Sequence, residues 1–184
     1  MTRIAIALLL AMIAAVPAKA TEAGWALLRD GGQVVLLRHA MISGTHEPAN
    51  FDISKCATQR NLSARGQQQA RRIGALFAAR AAEVERVLSS RYCRSLDTAR
   101  LAFEAEPEPF EALDPAPPES PEFAARKKAI IEEVANFTGA GNLIMVTDLE
   151  VIKALTGVSP REGEATIVRA DGDTLRVIGR IIFN

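Results

Sequence analysis

The 184-residue chain has only two histidines, His39 and His46, and only two cysteines, Cys56 and Cys93. Two cysteines with one spare histidine make a poor metal site, because structural and catalytic zinc centres need three or four such ligands. Net charge is lacking too, with Lys+Arg and Asp+Glu at 22 each. A chain without a basic excess has no electrostatic footprint for nucleic acid or for an anionic membrane surface. Beyond the N-terminal segment no stretch is apolar enough to cross a bilayer, and no internal repeat is visible.

What is present begins with a leader. Arg3 supplies positive charge, residues 4–16 form an uninterrupted apolar stretch, and Ala18-Lys19-Ala20 is an A-x-A cleavage site. This is the layout of a secretory signal peptide, and the stretch is too short to span a bilayer comfortably. An uncleaved anchor is the alternative. The expectation is cleavage after residue 20, a periplasmic or secreted location, and no stable membrane insertion afterwards. The remaining residues 21–184, about 160, suffice for one domain with a proper core. In an oxidising compartment an even cysteine count predicts a Cys56–Cys93 disulfide, which would contribute about 3–4 kcal/mol in the chain-entropy model. Two separate buried thiols are the other reading.

The pattern alternates strands and helices. A short helix over 21–29 ends at Asp30-Gly31-Gly32, and the run Gln33-Val34-Val35-Leu36-Leu37 reads as a buried strand. Residues 41–61 are irregular. A helix is expected over 62–82 with Ser63 as N-cap, then a strand over 85–89 and a helix over 96–103. Residues 104–120 are rich in Pro and Glu, with one short strand expected near 110–113. Ser120-Pro121-Glu122 opens a helix running to about residue 137. A buried strand over 142–147 precedes a helix that Gly157 ends, and a hairpin turns around Asp171-Gly172-Asp173. Together these predict a three-layer α/β/α sandwich with a largely parallel sheet.

Three strand ends carry charge: Arg38-His39-Ala40, the segment from Ser89 through Arg94 to Ala99, and Thr147-Asp148. Parallel strands place their C-terminal ends at one edge, so Arg38, His39, Arg94 and Asp148 are expected to converge there. Two guanidinium groups beside an imidazole suit an oxyanion with several acceptor oxygens. The chemistry suggested is phosphoryl transfer with His39 as nucleophile.

At these residues the chain resembles the histidine phosphatase superfamily, the phosphoglycerate mutase-like fold. Arg38-His39-Ala40 matches the family's Arg-His-Gly/Ala tripeptide. Leu62-Ser63-Ala64-Arg65-Gly66-Gln67-Gln68-Gln69-Ala70 matches its Leu-Ser/Thr-x-x-Gly-x-x-Gln-Ala stretch, and Ser90, Arg94, Thr98 and Ala99 match its Ser-x-x-x-Arg-x-x-x-Thr-Ala stretch. Cys56 to Leu62, and Leu155-Thr156-Gly157 through Gly163-Glu164, resemble a small exported subgroup that includes phosphatases of lipopolysaccharide-core heptose phosphate. The resemblance implies a phosphomonoesterase that forms a phosphohistidine at His39, with Arg38 and Arg94 holding the phosphate. Arg60 or Arg65 would add charge at the rim, or else be solvated. The implied partner is a small phosphorylated substrate, such as a sugar phosphate of the cell envelope, with no cofactor, metal or nucleic acid.

Asp148 departs from the family, which places a second histidine after the Val-Thr of this strand. That histidine donates to the phosphate, whereas an ionised aspartate repels it. Two unit charges about 4 Å apart interact by roughly 4 kcal/mol at an effective dielectric of ~20. Low activity, or a pseudophosphatase that binds phosphorylated sugar or lipid headgroups, is the expected consequence. His46 is a candidate replacement, with an exposed loop histidine as the plainer reading. The leaving-group acid is sought among Glu104, Glu106, Glu108, Glu111 and Asp114.

Overall fold

The computed structural model describes residues 16–183, and side chains from residue 21 onward. The predicted leader over 1–20 lies outside these residues, apart from the backbone of 16–20. Among the described residues are five α-helices and six strands. In order they are α1 (Val16–Asp30), β1 (Val34–Arg38), α2 (Ala64–Ala79), β2 (Val84–Ser89), α3 (Cys93–Phe103), β3 (Glu108–Pro109), α4 (Pro121–Asn136), β4 (Asn142–Thr147), α5 (Leu149–Thr156), β5 (Ala165–Asp171) and β6 (Thr174–Ile181).

The sheet runs β3-β2-β4-β1-β5-β6. β1, β2, β3 and β4 are mutually parallel, while β5 and β6 close one side as an antiparallel hairpin. The alternation along β1 explains the three layers. Val35 and Leu37 join Trp25, Ile73, Phe77 and Ala99 on the face covered by α1, α2 and α3. Val34 and Leu36 join Leu113, Ile130, Ile152 and Leu155 on the face covered by α4 and α5. Val35, Leu36 and Leu37 are fully buried, each contributing about 1.5–3 kcal/mol of transfer free energy. A stretch buried on both faces has to be apolar, as Val34–Leu37 are.

Three expectations are corrected. Residues 110–113 do not form a strand: the edge strand is Glu108–Pro109, and Glu111–Leu113 is a turn of 3-10 helix. The expected helix over 96–103 starts earlier, at Cys93. Its first turn holds two hydrogen bonds to the Tyr92 carbonyl, from the amides of Ser95 and Leu96, and this brings Arg94 into a helix rather than a loop. α1 extends the helix expected over 21–29 by several residues at its start.

Candidate active site

The C-terminal ends of β1, β2 and β4 form one edge, and the backbone there is tightly tied. The His39 amide donates to the Thr147 carbonyl at 3.0 Å, and the Gly163 amide donates to the His39 carbonyl at 2.9 Å. The Ala40 amide donates to Thr98 Oγ1 at 2.9 Å, and Thr98 Oγ1 in turn donates to the Arg94 carbonyl at 2.7 Å. α2 holds the next residue. Its N-cap Ser63 accepts from the Gly66 amide at 3.0 Å, and both the Ser63 amide and hydroxyl donate to the Met41 carbonyl. Gln69 accepts from the Met41 amide at 3.0 Å and donates to the Glu162 carbonyl at 2.9 Å. The Ser63, Gly66, Gln69 and Thr98 positions are thus scaffolding for the chain that leaves His39.

His39 is 2% exposed. Its Nδ1 lies 2.8 Å from the Ala40 carbonyl oxygen and its Nε2 lies 3.4 Å from Asp148 Oδ1. Both ring nitrogens face acceptors, and a neutral imidazole has a proton for only one of them. With Nδ1–H on Ala40, Nε2 keeps the lone pair that a nucleophile needs.

Arg94 meets the same aspartate oxygen. Its Nε donates to Asp148 Oδ1 at 2.7 Å, and Nη2 lies 2.7 Å from that atom. Nη1 donates to Glu47 Oε1 at 2.7 Å, while the guanidinium carbon stands 4.4 Å from the centroid of the Tyr92 ring. Burial alone would raise the Asp148 carboxyl, but the adjoining His39 side chain and the charge of Arg94 outweigh it and hold it below its ordinary range.

Of the expected cluster, His39, Arg94 and Asp148 come together. Arg38 is adjacent in sequence, but its guanidinium turns to the loop after α5, donating to the Pro160 carbonyl at 3.0 Å and lying 3.9 Å from Glu162. Arg60 directs its guanidinium to the Ser43 and Gly44 carbonyls. Exposed His46 has its ring beside Thr45. Four of the five sought leaving-group acids are engaged elsewhere: Glu106 with Arg100, Glu108 with Arg86, Glu111 with Arg91, and buried Asp114 with Ser90 and Arg91.

Glu47 is the acid that the sequence did not reveal. It sits in the irregular 41–61 segment, bridging Arg94 and the Arg60 amide. The segment is anchored by the Cys56–Cys93 disulfide, whose second half-cystine immediately precedes Arg94. Gln59 adds to the anchor by accepting from the Cys93 amide at 2.9 Å. The only signal available in the sequence was the cysteine pair itself, which brings this loop to the start of α3. A large cavity, about 720 Å³, lies between α2, α3 and β2 and is not lined by His39. Among the described residues no cluster of three His, Cys, Asp or Glu could hold a metal ion.

A buried histidine at the end of a parallel strand thus shares one aspartate oxygen with an arginine in the first turn of the helix after β2. Residues 34–115 match the family model for the histidine phosphatase superfamily (branch 1). Solved structures agree in fold. A complex of the protein histidine phosphatase SixA with tungstate is 18% identical, with a TM-score of 0.56 and coverage of 81% of this chain and 96% of that one. Phosphoglycerate mutase from Thermus thermophilus is 19% identical, with a TM-score of 0.55 over 83% and 99%. Phosphoserine phosphatase from Entamoeba histolytica, in complex with 3-phosphoglyceric acid, is 12% identical with a TM-score of 0.59 over 82% and 96%. At these identities the likeness is one of fold. No curated protein matches the chain at a significant level.

Proposed function

We propose that this protein is an exported phosphomonoesterase that works through a phosphohistidine at His39 and is slowed by Asp148. The observation that carries this reading is the placement of His39, buried at the end of β1 with Nδ1 against the Ala40 carbonyl and Nε2 beside Arg94's partner oxygen. The Nε2 lone pair attacks phosphorus as the ester P–O bond breaks, and water then hydrolyses the phosphohistidine. Arg94 gathers the charge of the phosphoryl oxygens, joined by Arg38 once it turns from Pro160, with Arg60 available at the rim. Asp148 lowers the rate because it holds the Arg94 donors that the phosphate would use.

The A-x-A leader and the disulfide support export to an oxidising compartment such as a periplasm. The motif resemblance to the exported subgroup supports a sugar phosphate of the cell envelope as substrate, in keeping with relatives that act on small phosphorylated molecules. A second reading, a pseudophosphatase that only binds phosphorylated headgroups, is favoured by one feature: Arg94 is bridged by two carboxylates, Glu47 and Asp148.

Hydrolysis of an aryl phosphate by residues 21–184, with His39→Ala and Asp148→His beside it, separates the readings. The expected result is slow turnover with an acid-labile phosphoenzyme, abolished in His39→Ala and raised at least about tenfold in Asp148→His. An inactive parent rescued by Asp148→His would establish the pseudophosphatase. A His39→Ala protein as active as the parent would end the phosphohistidine mechanism.

A further inference from the structure

Asp148 has a second oxygen whose position the site does not explain. Oδ1 takes both Arg94 donors and faces His39, but Oδ2 is buried and accepts no hydrogen bond from any described residue. The residue is only 4% exposed. Asp148 is also the N-cap of α5, yet its side chain caps none of the helix amides, so the usual reason for an aspartate there does not apply. An acceptor left unpaired in the interior is costly, because it has lost its water and gained no donor. Such an atom is suited to a ligand that brings a donor.

We infer that Asp148 makes this a site for the protonated, monoanionic form of a phosphate monoester, whose P–OH donates to Asp148 Oδ2, and that it rejects fully ionised oxyanions. This rests on the reading of the edge as a phosphate site and adds which ionic form it takes. A fully ionised phosphoryl or sulfuryl group has only acceptor oxygens, so against Oδ2 it sets lone pair on lone pair. A P–OH instead forms a short charge-assisted bond to the carboxylate. The second histidine of the family donates to a phosphoryl oxygen; an aspartate in its place inverts the required polarity at that point.

The groups facing Asp148 keep it ionised for this task. His39 faces it from the end of β1 and Arg94 from α3, with Tyr92 just before that helix and Glu47 reaching in from the 41–61 loop through Arg94. Asp114 lies within electrostatic range of the same tyrosine, and burial pushes the Tyr92 phenol up, so it stays protonated. The Asp148 carboxyl sits below its ordinary value of 3.8. It therefore remains an acceptor at the pH, near about 6, at which phosphate monoesters take up their second proton. The titration that matters then belongs to the ligand.

Phenyl phosphate and phenyl sulfate make the matched probes, since at pH 5 both are mainly monoanions and only the phosphate carries a proton on oxygen. Binding is measured calorimetrically to the His39→Ala protein, which removes turnover, and in parallel as inhibition of the parent enzyme. The expected result at pH 5 is phenyl phosphate bound at least about tenfold more tightly than phenyl sulfate. Its affinity then falls by about tenfold per pH unit above ~6, as the monoanion is depleted. In Asp148→Asn, whose amide can donate, the preference collapses and phenyl sulfate binds as well as phenyl phosphate. Equal binding of the two probes at pH 5, or tighter binding of phenyl phosphate at pH 8 than at pH 5, overturns the inference. If that happens while the parent still forms a phosphoenzyme at His39, only the ionic-form selectivity fails. If neither probe binds either protein and no phosphoenzyme forms, the phosphate site itself is wrong and both readings fall.

Discussion

Asp148 is the residue at which three consequences meet. Its carboxylate neutralises Arg94, faces Nε2 of His39, and leaves one oxygen free. Because the pair with Arg94 is buried, its net contribution to stability is modest, but breaking it from one side leaves an uncompensated charge. The pH dependence has a definite sign. The folded carboxyl lies below its ordinary value of 3.8, so the unfolded chain takes up the proton first as pH falls. The stability supplied by Asp148 is fully present above about pH 4 and is lost below it, toward the depressed folded value. Thermal unfolding of the parent and of Asp148→Asn between pH 6 and pH 2.5 checks this. The parent should lose melting temperature more steeply than the variant below pH 4; parallel curves would mean that the Asp148 carboxyl is not depressed in the folded state.

At the scale of elements, α2 shapes the site without contributing a reactive group. A β-carbon at Gly66 would overlap the Met41 carbonyl oxygen, the same oxygen that Ser63 grips. Gly66→Ala is therefore expected to push residues 40–41 away from α2, destabilise the fold by about 2 kcal/mol, and lower turnover beyond what the stability loss explains. Urea unfolding alongside the rate of aryl phosphate hydrolysis at a temperature where the variant is folded tests both parts. An unchanged rate would show that the tie between α2 and Met41 does not set the position of His39.

The same elements show what the sequence makes legible. Ser63 reads correctly as an N-cap because capping is local chemistry, and β1 and β4 read correctly because their centres, buried on both faces, are runs of apolar residues. The hairpin of β5 and β6 follows from its turn residues. Glu47 is not legible, since nothing within the 41–61 segment distinguishes it from a solvated acid. Its position depends on Cys56, Gln59 and Arg60, which act across chain separations that no periodicity reports. The turns of Arg38 toward Pro160 and Arg60 toward Ser43 and Gly44 are hidden for the same reason.

Across the whole molecule, one covalent link joins the least regular segment to the site. The Cys56–Cys93 disulfide spans a sequence separation of 37 residues, with a Cα–Cα distance of 5.6 Å. A loop of that length gives about 4 kcal/mol in the chain-entropy model, a large share of the roughly 5–15 kcal/mol expected for a domain. The link also confines the segment that presents Glu47 to Arg94, which otherwise has few buried apolar contacts to hold it. Opening the disulfide should therefore do two separable things. Unfolding in urea with and without a reducing agent should show the midpoint falling by the equivalent of about 3–4 kcal/mol. The Cys56→Ser/Cys93→Ser protein, assayed at a temperature where it remains folded, should bind an oxyanion more tightly than the parent, because a released Glu47 no longer competes for Nη1 of Arg94. A stability change below about 1 kcal/mol would show that the loop is held by its own hydrogen bonds, chiefly those of Gln59 and Asn61. A stability loss with unchanged oxyanion affinity would place the Glu47–Arg94 contact under the control of Arg60 and its carbonyl partners instead of the disulfide.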